Sequence, residues 1–171
     1  MTKPRKRAPE KVRTSGDAAA LHLPLWSRPG YLVRRLHQIH LALFLEECKA
    51  YGITPVQYGL LTALAAHPGL DQVSLAAELG IDRTNVADVL VRLADRGLVR
   101  RAASAEDRRV KRAHLTEEGS KLTARMHGAM QRAQDRLVAP LALAERRQFM
   151  ALLTRLIEAN NEFSRAPFRP R

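Results

Sequence analysis

One cysteine in 171 residues leaves no partner for an internal disulfide, so the fold has to stand on packing. The six histidines are scattered and, even with that cysteine, form no zinc-finger spacing. Acidic residues are scarce too: 17 Asp and Glu stand against 29 Lys and Arg, a formal charge of +12. Such a deficit favours a polyanionic partner, either nucleic acid or an anionic membrane face. Long apolar runs are missing. The longest uncharged stretch, Ala50 to Leu70, is interrupted by Pro55, Pro68, Gly52, Gly59 and Gly69, which leaves it short of a bilayer span. No apolar segment follows the basic start, so no signal peptide is expected, and the chain reads as soluble and cytoplasmic.

What remains is a globular composition. Apolar residues make up 46% of the chain, too many for a wholly disordered protein. The length suits one compact domain or a small domain with helical extensions. Residues 1–16 hold six basic residues and one acidic, with almost nothing to bury. They read as a disordered arm, either a plain solvated tail or one that tracks DNA. Residues 164–171 read as a second tail. No internal repeat is visible.

Helical periodicity dominates the middle. Leu32, Leu36, Ile39 and Leu43 form one stripe between Ser27, an expected N-cap, and Gly52, an expected stop. Val33, His37, His40 and Phe44 form a neighbouring stripe, so this helix can bury two faces. Thr54-Pro55-Val56-Gln57 has the composition of a capping box with proline at the first helical position, and Pro68-Gly69 ends that helix. Further helices are expected to start near Asp71 and at Asp82. After Thr116 a long helix carries Leu122, Met126, Ala129, Met130, Ala133 and Leu137. Pro140 ends it, and a last helix holds Phe149, Leu152, Leu153, Leu156 and Ile157. Between them, residues 98–102 and 113–116 read as two short strands around the polar stretch 104–112, although neither alternates cleanly.

The informative segment is 71–116. Ala76, Gly80 and Val86 stand at relative positions one, five and eleven, the pattern a helix-turn-helix needs. The small residue lets two helices approach, the glycine allows the tight turn and the apolar residue anchors the second helix. With Val86, Val89, Leu90 and Leu93 turned inward, the opposite face carries Arg83, Thr84, Asn85, Asp88 and Arg92. Arg and Asn can read base edges bidentately, and a helix N-terminus attracts phosphate. Residues 96–112 add seven basic residues against two acidic. At their turn Asp107 can hold Arg109 while Arg109 enters the minor groove, with Arg108 and Lys111 as phosphate contacts. A merely solvated helix face and a merely soluble hairpin tip are the alternatives. The fold expected is mainly α with a small β wing: a winged helix-turn-helix lobe with further helices.

Residues 74–101 (SLAAELGIDRTNVADVLVRLADRGLVRR) and 107–119 (DRRVKRAHLTEEG) resemble the winged helix-turn-helix of the MarR family of bacterial transcriptional regulators. The second carries that family's D-x-R wing followed by L-T-x-x-G. The resemblance covers roughly residues 25–163. Residues 29–40 (PGYLVRRLHQIH) and 53–61 (ITPVQYGLL) further resemble the branch controlling breakdown of aromatic and heteroaromatic acids. The resemblance implies a homodimer whose first and last two helices interlock, with two lobes on successive major grooves of a palindrome. A two-fold protein needs half-site centres roughly 10 base pairs apart. The stripes on 116–163 also have too little of one chain's core to bury them. The expected organisation is a basic arm at 1–24, a first dimerisation helix at 25–54, a DNA-binding lobe at 55–115, dimerisation helices at 116–163 and a tail at 164–171.

The family also implies a small aromatic carboxylic acid effector between lobe and dimer helices, whose binding weakens the hold on DNA. By position the candidates are Tyr31, Arg34, His37 and His40 with Tyr58. Arg34 or a protonated histidine could meet a carboxylate, and the tyrosines could flank a ring. Equally, the histidines and tyrosines could be packing residues, and Arg34 could pair with Glu46 or Glu47 of the partner subunit. Cys48 offers a thiol-based redox sensor as an alternative, but beside Glu46 and Glu47 its pKa should rise, which opposes that chemistry. His37 and His40 lack a third metal ligand at useful spacing. No Gly-rich phosphate loop, nucleophile elbow or H-E-x-x-H motif supports an enzyme. No cofactor is expected. The remaining rival is a non-specific architectural nucleic-acid-binding protein that coats DNA through charge alone.

Overall fold

The computed structural model describes residues 24–103 and 110–164. The expected arm at 1–24, apart from Pro24, and the tail, apart from Ser164, lie outside those residues. The chain divides into two units, Met1–His37 and Gln38–Arg171.

In the first unit a 3-10 turn at Leu25–Ser27 precedes helix α1, Pro29–Cys48, of which it holds the first residues. The helix therefore starts at Pro29, and Ser27 does not cap it. Arg28 takes the extended conformation before the helix and its carbonyl accepts from Leu32 N–H (3.0 Å). Proline at the first helical position needs no N–H donor, so the boundary moves one residue downstream.

The second unit contains the rest of α1, then α2 (Pro55–Ala66), strand β1 (Leu70–Asp71), α3 (Gln72–Leu79) and α4 (Arg83–Asp95). Strands β2 (Val99–Ala103) and β3 (Lys111–Leu115) follow, then α5 (Glu117–Val138) and α6 (Leu143–Ala159). The expected signals operate at most ends. Gly52 closes α1 and its 3-10 extension with φ of 60°, where a side chain would be strained. Thr54 and Gln57 form the capping box: Thr54 N–H donates to Gln57 Oε1 (2.9 Å) and Gln57 N–H to Thr54 Oγ1 (3.3 Å). Asp71 caps α3 by accepting from Ser74 N–H at 2.7 Å.

The sheet has three strands in the order β1-β3-β2, all antiparallel. β1 has no counterpart in the sequence reading. It is only two residues long, too short for alternation to register, and forms because Leu70 and Asp71 pair with Ala113 and Arg112. β3 begins at Lys111, inside the stretch read as turn, since its ladder with β2 runs out to Ala103.

One core joins these elements. Phe44 of α1, Leu60, Leu61 and Leu64 of α2, Leu75 of α3 and Leu90 and Leu93 of α4 are buried. They meet Val99 and Ala113 of the sheet and Leu122 and Met126 of α5. At about 1.5–3 kcal/mol for each large apolar side chain removed from water, this cluster is the main force holding the lobe. The α5 stripe is thus buried in its own chain, contrary to the expectation that 116–163 could not be covered. That expectation holds for α6: none of its residues is buried, and Leu143, Met150, Leu152, Leu156 and Ile157 are exposed.

Candidate nucleic-acid interface

Helices α3 and α4 are joined by Gly80, Ile81 and Asp82, with Gly80 at φ 65° and Ile81 N–H bonded to Ala76 carbonyl (3.2 Å). Ala76 is buried at the crossing and Val86 is fully buried on the second helix. The three positions singled out in the sequence therefore do what a helix-turn-helix requires of them. Val86, Leu90 and Leu93 anchor α4; Val89 is only half-buried. Arg83, Thr84, Asn85, Asp88 and Arg92 are all exposed, which places them on the outward side of one helix. The Gln72 amide donates to Arg83 carbonyl at 2.8 Å and ties the start of α3 to the first turn of α4.

The wing strands carry the second basic surface. Opposed residues of an antiparallel pair point to the same side of the sheet. Val99 and Ala113 are buried, so their side faces the core, and Arg101 (opposite Ala113) and Lys111 (opposite Ala103) extend it outward. Arg100 pairs with His114 on the other side, with Arg112. Arg112 Nη1 donates to Gly69 carbonyl (3.2 Å), so part of the wing charge is structural. Arg96 is structural as well: its guanidinium reaches Gly52 carbonyl (2.7 Å) and Tyr51 carbonyl (3.4 Å), stapling the end of α4 to the close of α1. Asp107, Arg108 and Arg109 lie outside the described residues. Gln72 and Arg101 were not singled out in the sequence. The register that places Arg101 beside the core face was the missing signal.

At the base of the wing Thr116 joins strand to helix. Its N–H donates to Leu98 carbonyl (3.1 Å), its hydroxyl donates to Gly97 carbonyl (2.6 Å), and its Oγ1 accepts from Gly119 N–H (3.0 Å). The L-T-x-x-G pattern is thus a cap that holds α5 against the wing.

The proposed effector residues are distributed over both units. In the first, the Arg34 guanidinium lies over the Tyr31 ring, 5.4 Å from its centroid, and His37 is exposed. In the second, His40 is half-buried, and Tyr58 packs edge-on against Phe44 with centroids 6.4 Å apart. Tyr58 also lines a shallow hollow of about 320 Å³ between α2 and α3 with Thr62, Ala66 and Glu78. Glu46 and Glu47 are engaged within their own chain. Arg132 bonds Glu47 at 2.9 Å, and Arg136 reaches Glu47 at 2.8 Å and Glu46 at 3.1 Å. These two guanidiniums, Arg132 foremost, hold the Glu47 carboxyl below its ordinary pKa. Cys48 is fully buried, and burial, then the Glu47 charge, pushes its thiol pKa up. Among the described residues no three His, Cys, Asp or Glu side chains could hold a metal. No described helix is long and apolar enough to cross a membrane.

A helix-turn-helix with an exposed polar face on its second helix, followed by a basic β wing, defines a winged-helix DNA-binding protein. The MarR family sequence profile matches residues 51–110. A putative transcriptional regulatory protein for the hcr operon of Thauera aromatica is 37% identical over 111 residues, 65% of this chain and 67% of that one. The transcriptional repressor CouR, solved on a 23-mer DNA duplex, is 32% identical with a TM-score of 0.73, over 77% of this chain and 94% of that one. BpsR of Bordetella bronchiseptica, whose DNA binding is regulated by 6-hydroxynicotinic acid, is 27% identical with a TM-score of 0.76, over 78% and 96%. The chain belongs to the MarR family. It is a DNA-binding transcriptional regulator of that type.

Proposed function

We propose that this protein is a homodimeric repressor of a catabolic operon, bound to a palindromic operator and released by a small aromatic carboxylic acid. The observation that carries the reading is the outward face of α4. Arg83, Thr84, Asn85, Asp88 and Arg92 stand together there, backed by a buried Val86–Leu90–Leu93 stripe that fixes the helix on the lobe. On this reading Arg83 and Asn85 read base edges. Arg109, held by Asp107, enters the minor groove, and Arg108 and Lys111 neutralise phosphates.

The exposed apolar side of α6 supports the homodimer, since Leu152, Leu156 and Ile157 are each 41–58% exposed on one helix. The aromatic acid is supported by the regulation of BpsR and by the Tyr31–Arg34 pair, which presents a ring and a carboxylate partner together. His37, His40 and Tyr58 complete the proposed effector residues. Burial of Cys48 argues against redox sensing. The protein acts by binding, without catalysis of its own.

The test is a gel-shift titration against the DNA flanking this protein's own gene, with and without a panel of aromatic carboxylic acids. A saturable shift on one palindrome, released by one acid, is expected. Equal affinity for every fragment would replace the repressor with an architectural DNA-coating protein.

A further inference from the structure

Between the start of α3, the first turn of α4 and the wing strands lies an open cleft of about 340 Å³. Three of its lining side chains are basic: Arg83 from α4, Arg101 from β2 and Lys111 from β3. None of the three has an ion-pair partner among the described residues. The cleft's one carboxylate, Asp71, is turned to the Ser74 N–H at 2.7 Å as the α3 cap. Gln72 uses one amide hydrogen on Arg83 carbonyl and keeps a second. The remaining walls are Val73, 59% exposed, and Val110. A cleft lined by three cations and two valines matches an anion carried between apolar groups, as in a sugar–phosphate chain.

We propose that this cleft seats one sugar–phosphate unit of the DNA backbone. Arg101 and Lys111 meet the phosphate oxygens with the Gln72 amide, Val73 lies against the deoxyribose, and Arg83 is left to the neighbouring base. The proposal rests on the DNA-binding reading above and adds Arg101, Gln72 and Val73 to it. The physical reason for the seat is the register of the wing. Arg101 and Lys111 occupy the sheet's core side just beyond Val99 and Ala113, where the core ends and solvent begins. A phosphate held there would lock the wing and α4 onto one strand, setting the register of the reading helix without itself reading sequence.

The test titrates full-length wild-type protein, R101Q and R101K onto a duplex that the wild type selects from a random library, over a range of NaCl concentrations. R101Q should lose about tenfold in affinity per bound chain on selected and unrelated duplexes alike. Its salt slope should fall by about 0.9 for each phosphate contact removed. R101K should keep the wild-type slope. The same titrations on duplexes with one neutral methylphosphonate linkage locate the seat: one position should weaken wild type and leave R101Q unaffected further. Wild-type binding with an unchanged R101Q affinity and slope overturns the seat and leaves the DNA-binding reading intact. So does an R101Q variant that relaxes base preference at constant slope. Absence of wild-type binding to any duplex overturns both.

Discussion

The Leu98 carbonyl oxygen occupies the space that a Cβ on Gly119 would need. The third residue of α5 therefore lies directly on the backbone at the foot of the wing, and no flexible side chain is there to yield. Gly119→Ala has to push strand and helix apart, with loss of the Thr116 bonds to Leu98 and Gly97. The expected cost is about 3 kcal/mol, at the upper end of overpacking penalties. Thermal unfolding of the variant should fall by roughly 6–12 °C. An unchanged midpoint would mean that the close approach is not maintained in solution.

The proposed readers and the proposed wing contact should fail differently. Arg83→Ala or Asn85→Ala should lose about 1–3 kcal/mol of discrimination at one base position, with bulk affinity largely kept. Arg109→Ala should weaken binding on all AT-containing half-sites and lower the salt slope. Binding measured on a panel of single-base operator variants separates the two. Uniform weakening by Asn85→Ala would remove it from the readers, and an unaltered Arg109→Ala would sink the wing assignment.

Acid should loosen the join between α1 and α5. Arg132 and Arg136 hold the Glu47 carboxyl below its ordinary value of 4.5, and the Ser74 N–H does the same for Asp71 below 3.8. Because both pKa values are lowered in the folded state, their stabilisation is complete above those ordinary values. It is lost as pH falls through them toward the folded values. The melting temperature should be flat from neutral pH to about pH 5 and fall below it. Glu47→Gln should start lower at neutral pH and fall less steeply. Superimposable curves for the two proteins would exclude Glu47 as a contributor.

Cys48 should be chemically silent. With its sulfur buried and its pKa raised by burial and then by Glu47, little thiolate is available for attack. A thiol reagent should label the native protein only as fast as the protein unfolds, and at once in denaturant. Cys48→Ala should lower stability by about 1–2 kcal/mol through a small cavity and leave affinity for DNA unchanged. Rapid native labelling together with loss of DNA binding would revive the redox alternative.

Thr54 and Gln57 close α2 by reciprocal bonds, so Thr54→Ala should reduce stability by about 1 kcal/mol. Thr54→Ser should restore most of it. Chemical denaturation of the two variants measures both effects, and equal stability of the Ala and Ser forms would deny the cap its role.

The sequence alone determined the elements whose signals are local. Capping residues are adjacent to what they cap, and helical stripes repeat within one helix, so α2, α3, α4 and α5 were legible from Thr54, Asp71, Gly80 and the Leu122–Met126–Ala129 spacing. The exposed row from Arg83 to Arg92 followed from the same periodicity. Only the tertiary structure decided which of the many basic residues are spent on the protein's own backbone. Arg96 and Arg112 looked equivalent to Arg101 as letters, yet carbonyls 44 and 43 positions away hold them. Arg101 has no ion-pair partner among the described residues, and ladder register, a long-range property, sets it opposite Ala113 at the edge of the core. Strand β1 exists for the same reason: two residues carry no periodicity, and only pairing with β3 makes them a strand. Short-range hydrogen bonds and apolar periods are written in neighbouring residues, whereas cross-strand pairing and charge neutralisation depend on which distant backbone the folded chain brings alongside.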